Sequence, residues 1–335
     1  MSGRRIAVLG AGSWGTTFAQ VLLDADPEAR VALWARRAEV ARDITEQHAN
    51  STYLPGVRLP DGLSATTDAA AVLEGAEVVV LAVPVQRLRA TLEAHSAALP
   101  PDATFVSLLK GLEAGTHLRV SQLVEQALGP VPMAVVSGPN LAREIAERRP
   151  TATVVASRDD EVAHRIAAAC ATSYFRPFTS HDVIGVELAG AVKNLLAVAV
   201  GLAEGLALGD NAKASVVALG LAETARLVSA MGGSATTVAG LAGAGDAYAT
   251  CASTLSRNHR LGAGLSQGKP LQEVLDHLGG TAEAVATSLS VSELASSVGV
   301  QMAIVEQVTA VLHAGRHPHE AAGVLLSQPL RREFV

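Results

Sequence analysis
The apolar run Ile6 to Leu9 leads directly into Gly10, Gly12 and Gly15, spaced G-x-G-x-x-G, and the helical pattern TTFAQVLL follows without a break. In such a segment the glycines permit a tight turn, let backbone approach a pyrophosphate and allow the helix to pack on the strand. The positive helix N-terminus attracts the anion. The spacing predicts a strand, a turn and a helix that together bind a dinucleotide.

The rest of the N-terminal half agrees with a fold built on that unit. Short β-branched runs at Val31 to Trp34, Val78 to Val83, Thr104 to Leu109 and Ala134 to Ser137 alternate with helical patterns. Continuous apolar strands imply burial on both faces, hence a largely parallel, doubly wound sheet between helices. Thr151 to Ser157 and Tyr174 to Ser180 read as further strands of that sheet. Strand signals then stop, and long alanine- and leucine-rich helical segments fill the remainder. The reading is therefore α/β plus all-α, with a Rossmann-type domain over residues 1–180, a helical domain over 181–335 and a cleft between them.

The residue that closes the second strand bears on the cofactor. An acidic side chain there would accept from a ribose 2′-hydroxyl, but VALWA runs into Arg36 and Arg37. Two guanidiniums can hold a 2′-phosphate through charge-assisted pairs, which favours NADP(H) over NAD(H). The alternative is that both are solvated surface charges.

Composition narrows the partners. A net charge of -6 with scattered arginines gives no footprint for nucleic acid, so a small-molecule partner is expected. The basic start breaks at glycine after four apolar residues and forms no secretory signal, which points to the cytoplasm. The longest apolar stretch is interrupted by Glu187, Lys193 and Glu204, and no transmembrane segment is expected. Cys170 and Cys251 have no framework or metal-ligand spacing and read as buried small hydrophobes. His317 and His319 sit in a polar break and are expected to face solvent rather than a metal. Exposed faces of the helical domain leave a homodimer open.

Of 26 basic residues only four are lysines: Lys110, Lys193, Lys213 and Lys269. Lys193 lies in the apolar run AVKNLLAVAV, where a guanidinium would stay charged but a desolvated ammonium can exchange its proton. On the residues alone, a general acid/base and a buried lysine paired with Glu187 or another carboxylate are equal readings. Lys110 follows the strand Thr104 to Leu109 at the ligand-binding edge of a doubly wound sheet.

Eight blocks in order settle which of these readings the chain most resembles. They are GAGSWGT, NSTYLPGVRLP, SLLKGLE, SGPN, ELAGAVKNLLA, GDNAKA, AGAGD and SRNHRLG, spread from Gly10 to Gly262, and LLSQPLRREF near the C-terminus adds a ninth. The series resembles the bacterial NAD(P)-dependent glycerol-3-phosphate dehydrogenases over nearly the full length. That resemblance implies reversible hydride transfer between NAD(P)H and dihydroxyacetone phosphate, giving sn-glycerol 3-phosphate for phospholipid synthesis. It implies Lys193 as the catalytic acid/base, Lys110 between cofactor and substrate, and Asp246 as the carboxylate holding Lys193. Asp246 on its own would read as a helix N-cap.

The same resemblance implies substrate contacts at Gly138, Asn140, Asn194, Thr250, Ser256, Arg257 and Asn258, with Arg257 forking the phosphate. It implies cofactor contacts at Gly10, Gly12, Ser13, Trp14, Gly15, Lys110, Ala142, Arg257, Thr281 and Glu283. Two positions depart from the family pattern: Asn140 stands where serine or threonine is usual, and Ala284 where glycine is common. A reductase of the wider β-hydroxyacid type is the rival enzyme, discriminated by Arg257. A cofactor-binding sensor would have no need of Lys110, Lys193 and Asp246 together.

Overall fold
The computed structural model of the chain describes residues 4–279 and 282–327. Thr281 and most of the C-terminal block, from Gln328 onward, lie outside them. The strands are β1 (Arg5–Leu9), β2 (Arg30–Trp34), β3 (Ala49–Asn50), β4 (Leu54–Arg58), β5 (Ser64–Thr66), β6 (Val78–Leu81), β7 (Thr104–Ser107), β8 (Met133–Ser137), β9 (Thr151–Ala156) and β10 (Phe175–Ser180). Between them run α1 (Ser13–Ala25), α2 (Ala38–Gln47), α3 (Ala69–Leu73), α4 (Val85–Ala94), α5 (Val120–Leu128), α6 (Ala142–Ala146) and α7 (Asp160–Cys170).

Eight strands form one sheet in the order β10-β9-β8-β7-β6-β1-β2-β5. With β2 on one side of β1 and β6 on the other, the strand order reverses at β1, so the glycine turn that follows β1 opens at the crevice where such sheets bind ligands. Within β1 the side chains of Ile6 and Val8 join a core with α1, α2 and α7, while Ala7 and Leu9 join the opposite core with α3, α4 and α5. Burial on both faces is why the strand reads as continuously apolar.

Two details differ from the expectation. The pair β8 and β9 is antiparallel, so β9 and β10 run against the other strands. The link from β8 to β9 carries only the five-residue α6, too short a device for a full crossover helix, and antiparallel pairing needs none. The sheet also gains β5 at its edge beside β2, and NSTYLPGVRLP folds as the hairpin β3–β4. Neither was legible because three-residue edge strands and bulged hairpins carry almost no periodic signal.

After Ser180 the described residues are helical: α8 (Val183–Gly205), α9 (Asp210–Ala230), α10 (Ala235–Val238), α11 (Asp246–Ala252), α12 (Arg257–Ser266), α13 (Leu271–His277), α14 (Glu283–Ser297), α15 (Ala303–His313) and α16 (Pro318–Leu326). A π-turn over Leu241–Gly245 leads into α11. By length and composition α8 could cross a bilayer, with mean hydropathy 1.8, but 94% of that window is buried inside the protein. It is the axle of the helical half, apolar all round because neighbours cover it all round. His317 and His319 are exposed at the start of α16.

The tightest contact on α8 is with α12. A Cβ on Gly201 would stand 2.1 Å from the carbonyl oxygen of His259, and one on Gly262 would stand 2.1 Å from that of Val198. The two backbones therefore touch through a reciprocal pair of glycines, which brings Asn258 of α12 beside Asn194 of α8. Replacing Gly262 by leucine is expected to force the helices apart and cost about 3 kcal/mol or more, read as a lowered midpoint in urea unfolding.

Candidate active site
The glycine turn is shaped by close approach. Gly10 has φ +123°, and a Cβ there would lie 2.6 Å from the carbonyl oxygen of Ala82. Beside Gly12, by contrast, no atom lies within 4 Å of where a Cβ would stand, so the turn is open on its outer side at the N-terminus of α1. Gly15 lets α1 pack on the turn itself, since a Cβ there would be 2.2 Å from the carbonyl oxygen of Gly10. This open cradle with free N–H groups fits a dinucleotide pyrophosphate. Buried Asn50 braces it, donating to the carbonyl of Ala11 at 3.0 Å and to Oγ1 of Thr16 at 2.9 Å.

Around the cradle, Ser13 donates its hydroxyl to the carbonyl of Tyr53 at 2.7 Å. Trp14 packs edge-on against Phe18, and its buried Nε1 has no partner among the described residues. Arg36 is exposed just beyond β2. Arg37 sits over the ring of Tyr53, 5.2 Å from its centroid, with Nε 3.4 Å from Glu39 and a buried Nη2 without a partner. Tyr53, half-exposed on the β3–β4 loop, was missed by sequence reasoning. Only its place within the block NSTYLPGVRLP hinted at it. Ala142, first in α6, faces α1 and accepts from Oγ1 of Thr17 at 3.2 Å.

The chemistry-bearing side chains converge on Asp246, which is 2% exposed. Its Oδ2 accepts from Nζ of Lys110 at 2.5 Å and its Oδ1 pairs with Nζ of Lys193 at 3.1 Å. Lys193 also donates to Oγ1 of Thr250 at 2.7 Å, and Thr250 donates to Oδ1 of Asp246 at 3.2 Å. Lys110 donates a second bond to the carbonyl of Gly138 at 2.9 Å. One carboxylate thus anchors two ammoniums that arrive from the β7 edge of the sheet and from α8.

Two expectations are corrected here. The Asp246 side chain does not cap α11: it follows the π-turn as an already helical residue and turns inward to the lysines. Nor does Glu187 pair with Lys193, because its carboxylate is taken by Arg119 at 2.5 Å.

A second chain of hydrogen bonds flanks the lysines. Asn258 donates to Oδ1 of Asn194 at 2.8 Å, and Asn194 donates to the carbonyl of Lys110 at 3.3 Å. Glu283, exposed at the first turn of α14, stands 3.5 Å from Nδ2 of Asn194. Asn140 donates to Oγ1 of Thr153 at 3.1 Å, and its buried Oδ1 has no partner among the described residues. Ser256 caps α12 by accepting from the N–H of His259. Arg257 lies outside this network, exposed on the first turn of α12 next to the buried Asn258.

The electrostatics follow from two cations sharing one anion. Burial alone would raise the carboxyl of Asp246, but Lys110 and Lys193 outweigh it and hold the group below its usual range. The Lys110 ammonium is pushed down to about 8, first by burial and then by Lys193, against the opposing pull of Asp246. Burial pushes the thiols of Cys170 and Cys251 up to about 12, which leaves both unreactive at neutral pH.

Comparison with known proteins matches the chain to a family. The profile described as NAD-dependent glycerol-3-phosphate dehydrogenase N-terminus covers residues 5–163, and its C-terminal counterpart covers residues 182–323. The chain belongs to that family. It is 52% identical over 332 residues to a glycerol-3-phosphate dehydrogenase (NAD(P)+) of Streptomyces griseus, covering 98% of each chain. The corresponding enzyme of Thermobifida fusca is 50% identical, again over 98% of each. The crystal structure of glycerol-3-phosphate dehydrogenase from Coxiella burnetii superposes with a TM-score of 0.93 at 36% identity, covering 98% of this chain and 100% of that one.

Proposed function
We propose that the chain reversibly reduces dihydroxyacetone phosphate to sn-glycerol 3-phosphate with NADPH, and less readily with NADH, and that it feeds glycerophospholipid synthesis in the cytoplasm. The observation that carries this reading is the buried Lys110–Asp246–Lys193 set. Membership of the family supports the substrate. When bound, the reduced nicotinamide supplies the hydride that adds to the carbonyl carbon.

The remaining steps belong to the chain's own side chains. Lys193 hands a proton from Nζ to the substrate oxygen in reduction and takes it back in oxidation, while Thr250 and Asp246 aim that Nζ. Lys110 directs its positive charge at the same oxygen and stabilises the developing alkoxide, an effect magnified by its dry surroundings. Asp246 keeps the two ammoniums side by side, which they would otherwise resist. Arg257 forks the phosphate from the rim of α12, where its exposure leaves the guanidinium able to reach out.

Asn194, Asn258 and Ser256 line the approach to the lysines. The unpartnered Oδ1 of Asn140 is an acceptor for a substrate hydroxyl beside the Gly138 backbone, so asparagine can serve where the family more often has serine or threonine. On the cofactor side, Gly10, Gly12, Ser13, Trp14, Gly15 and Ala142 hold the pyrophosphate region, while Glu283 borders the nicotinamide end. Arg36 and Arg37 hold the 2′-phosphate, supported by the unpartnered nitrogen that Arg37 keeps beside Tyr53.

Loss of reduced-nicotinamide absorbance with dihydroxyacetone phosphate is expected to be faster with NADPH than with NADH. Arg36→Ala should erase that preference by weakening NADPH alone; an unchanged ratio would remove the assignment. Lys193→Arg keeps the charge but cannot exchange its proton near neutrality, and kcat is expected to fall by about 100-fold or more. Near-normal turnover would sink the acid/base role.

The pH dependence has a definite sign. Lys110 carries its charge below about 8 and loses it as pH rises through that value. Reduction needs the cationic pair, so kcat/KM for dihydroxyacetone phosphate should be flat below this region and fall about tenfold per pH unit above it.

A further inference from the structure
We propose that Glu187 and Arg119 are positioning residues: a buried clamp that fixes the rotation of α8, and with it Lys193, relative to the loop that carries Lys110. This rests on the reading of Lys110 and Lys193 as the reacting pair, and it concerns two residues that neither touch substrate nor lie in the hydrogen-bonded network around Asp246.

The connectivity makes a closed circuit. Lys110 opens the loop 110–119 and Arg119 closes it, with Leu112 and Arg119 paired as an antiparallel bridge and the N–H of Glu113 donating to the carbonyl of Leu118 at 3.0 Å. From Arg119, Nη1 donates to Oε2 of Glu187 at 2.5 Å. Ser121, in the first turn of α5, adds two more bonds to the same carboxylate, from its N–H to Oε1 and from its hydroxyl to Oε2, both at 2.7 Å. The side chains of Arg119 and Glu187 are 4% and 3% exposed. Six residues along α8 stands Lys193, which reaches Asp246, and Asp246 returns the circuit to Lys110.

Between Glu187 and Lys193, α8 passes directly under the Lys110 side chain. At Gly190 an added Cβ would stand 3.0 Å from Oγ of Ser137 and 3.5 Å from Cγ of Lys110, so the lysine stem crosses the helix at its barest point. A helix so closely threaded tolerates little rotation. With a radius of about 6 Å including side chains, a turn of about 10° moves a surface atom by about 1 Å. A misplacement of that size at a reacting group can cost about 100-fold in rate.

A purely stabilising role explains the clamp poorly. Two charges withdrawn from water lose hydration that their mutual attraction barely offsets, and an apolar pair of the same volume holds a fold together as well or better. What the ion pair and its three directed hydrogen bonds supply is orientation. Three bonds converge on one carboxylate from two different backbone positions, which sets both the azimuth and the height of α8 against α5.

The test compares the wild type with the double variant Glu187→Gln/Arg119→Met, which removes both charges together and leaves neither buried alone. Glu187→Ala, which orphans Arg119, serves as the harsher companion. The double variant is expected to keep its thermal midpoint and its KM for NADPH while kcat falls about tenfold or more. Lys110 faces Asp246 of α11, Lys193 of α8 and Glu283 of α14, so loosening α8 also changes its surroundings. Competitive acetylation of Lys110 across pH, read by mass spectrometry, should therefore show its midpoint displaced by about half a unit or more. A folded double variant that retains either the wild-type kcat or the wild-type labelling midpoint overturns the clamp. The labelling needs no turnover, so if the wild type failed to reduce dihydroxyacetone phosphate, the functional reading would fall while the midpoint still decided the clamp.

Discussion
The structure turns on one carboxylate shared by two ammoniums in a dry interior. Asp246 is almost wholly buried, and a charge in that position persists only because Lys110 and Lys193 both reach it. The arrangement leaves a surplus of positive charge in the buried cluster, two ammoniums against one carboxylate. It also requires that three segments far apart in sequence, the end of β7, the middle of α8 and the start of α11, meet within a few ångströms.

Much of the surrounding architecture serves that meeting. The sheet presents Lys110 at its ligand-binding edge and the glycine turn at the neighbouring switch point. The helix α8 enters from the other half with almost every residue covered, so Lys193 is carried on a rigid rod rather than on a loop. The glycine contact between α8 and α12 then sets Asn258 against Asn194, and the π-turn before α11 rotates the Asp246 carboxylate inward. Rigid elements position the two lysines and Asp246, while Arg257 and Glu283 remain on exposed helix starts.

Sequence reasoning reached the larger part of this because it rests on local rules. A strand buried on both faces must be apolar throughout, and a turn as tight as that at Gly10 excludes a side chain, so β1 and its turn were legible letter by letter. The same logic made Lys193 conspicuous inside an apolar helix. Legibility failed where the signal is not local. The edge strand β5 and the reversed strands β9 and β10 depend on pairing partners rather than on their own residues. Tyr53 reaches the cofactor crevice only because the β3–β4 hairpin folds over the turn.

The sequence by itself determined the kinds of element and the chemical types available: a dinucleotide-binding turn, a helical second half, and lysines in a chain that otherwise uses arginine. These follow from backbone sterics and from the period of hydrophobic residues, which act within a few positions of the chain. Tertiary structure alone decided the pairings: that Asp246 serves Lys110 as well as Lys193, and that Glu187, a plausible partner for Lys193, belongs to Arg119. Charges choose partners by distance in space and by how completely water is excluded from them, and neither quantity exists until the two halves of the chain have packed together.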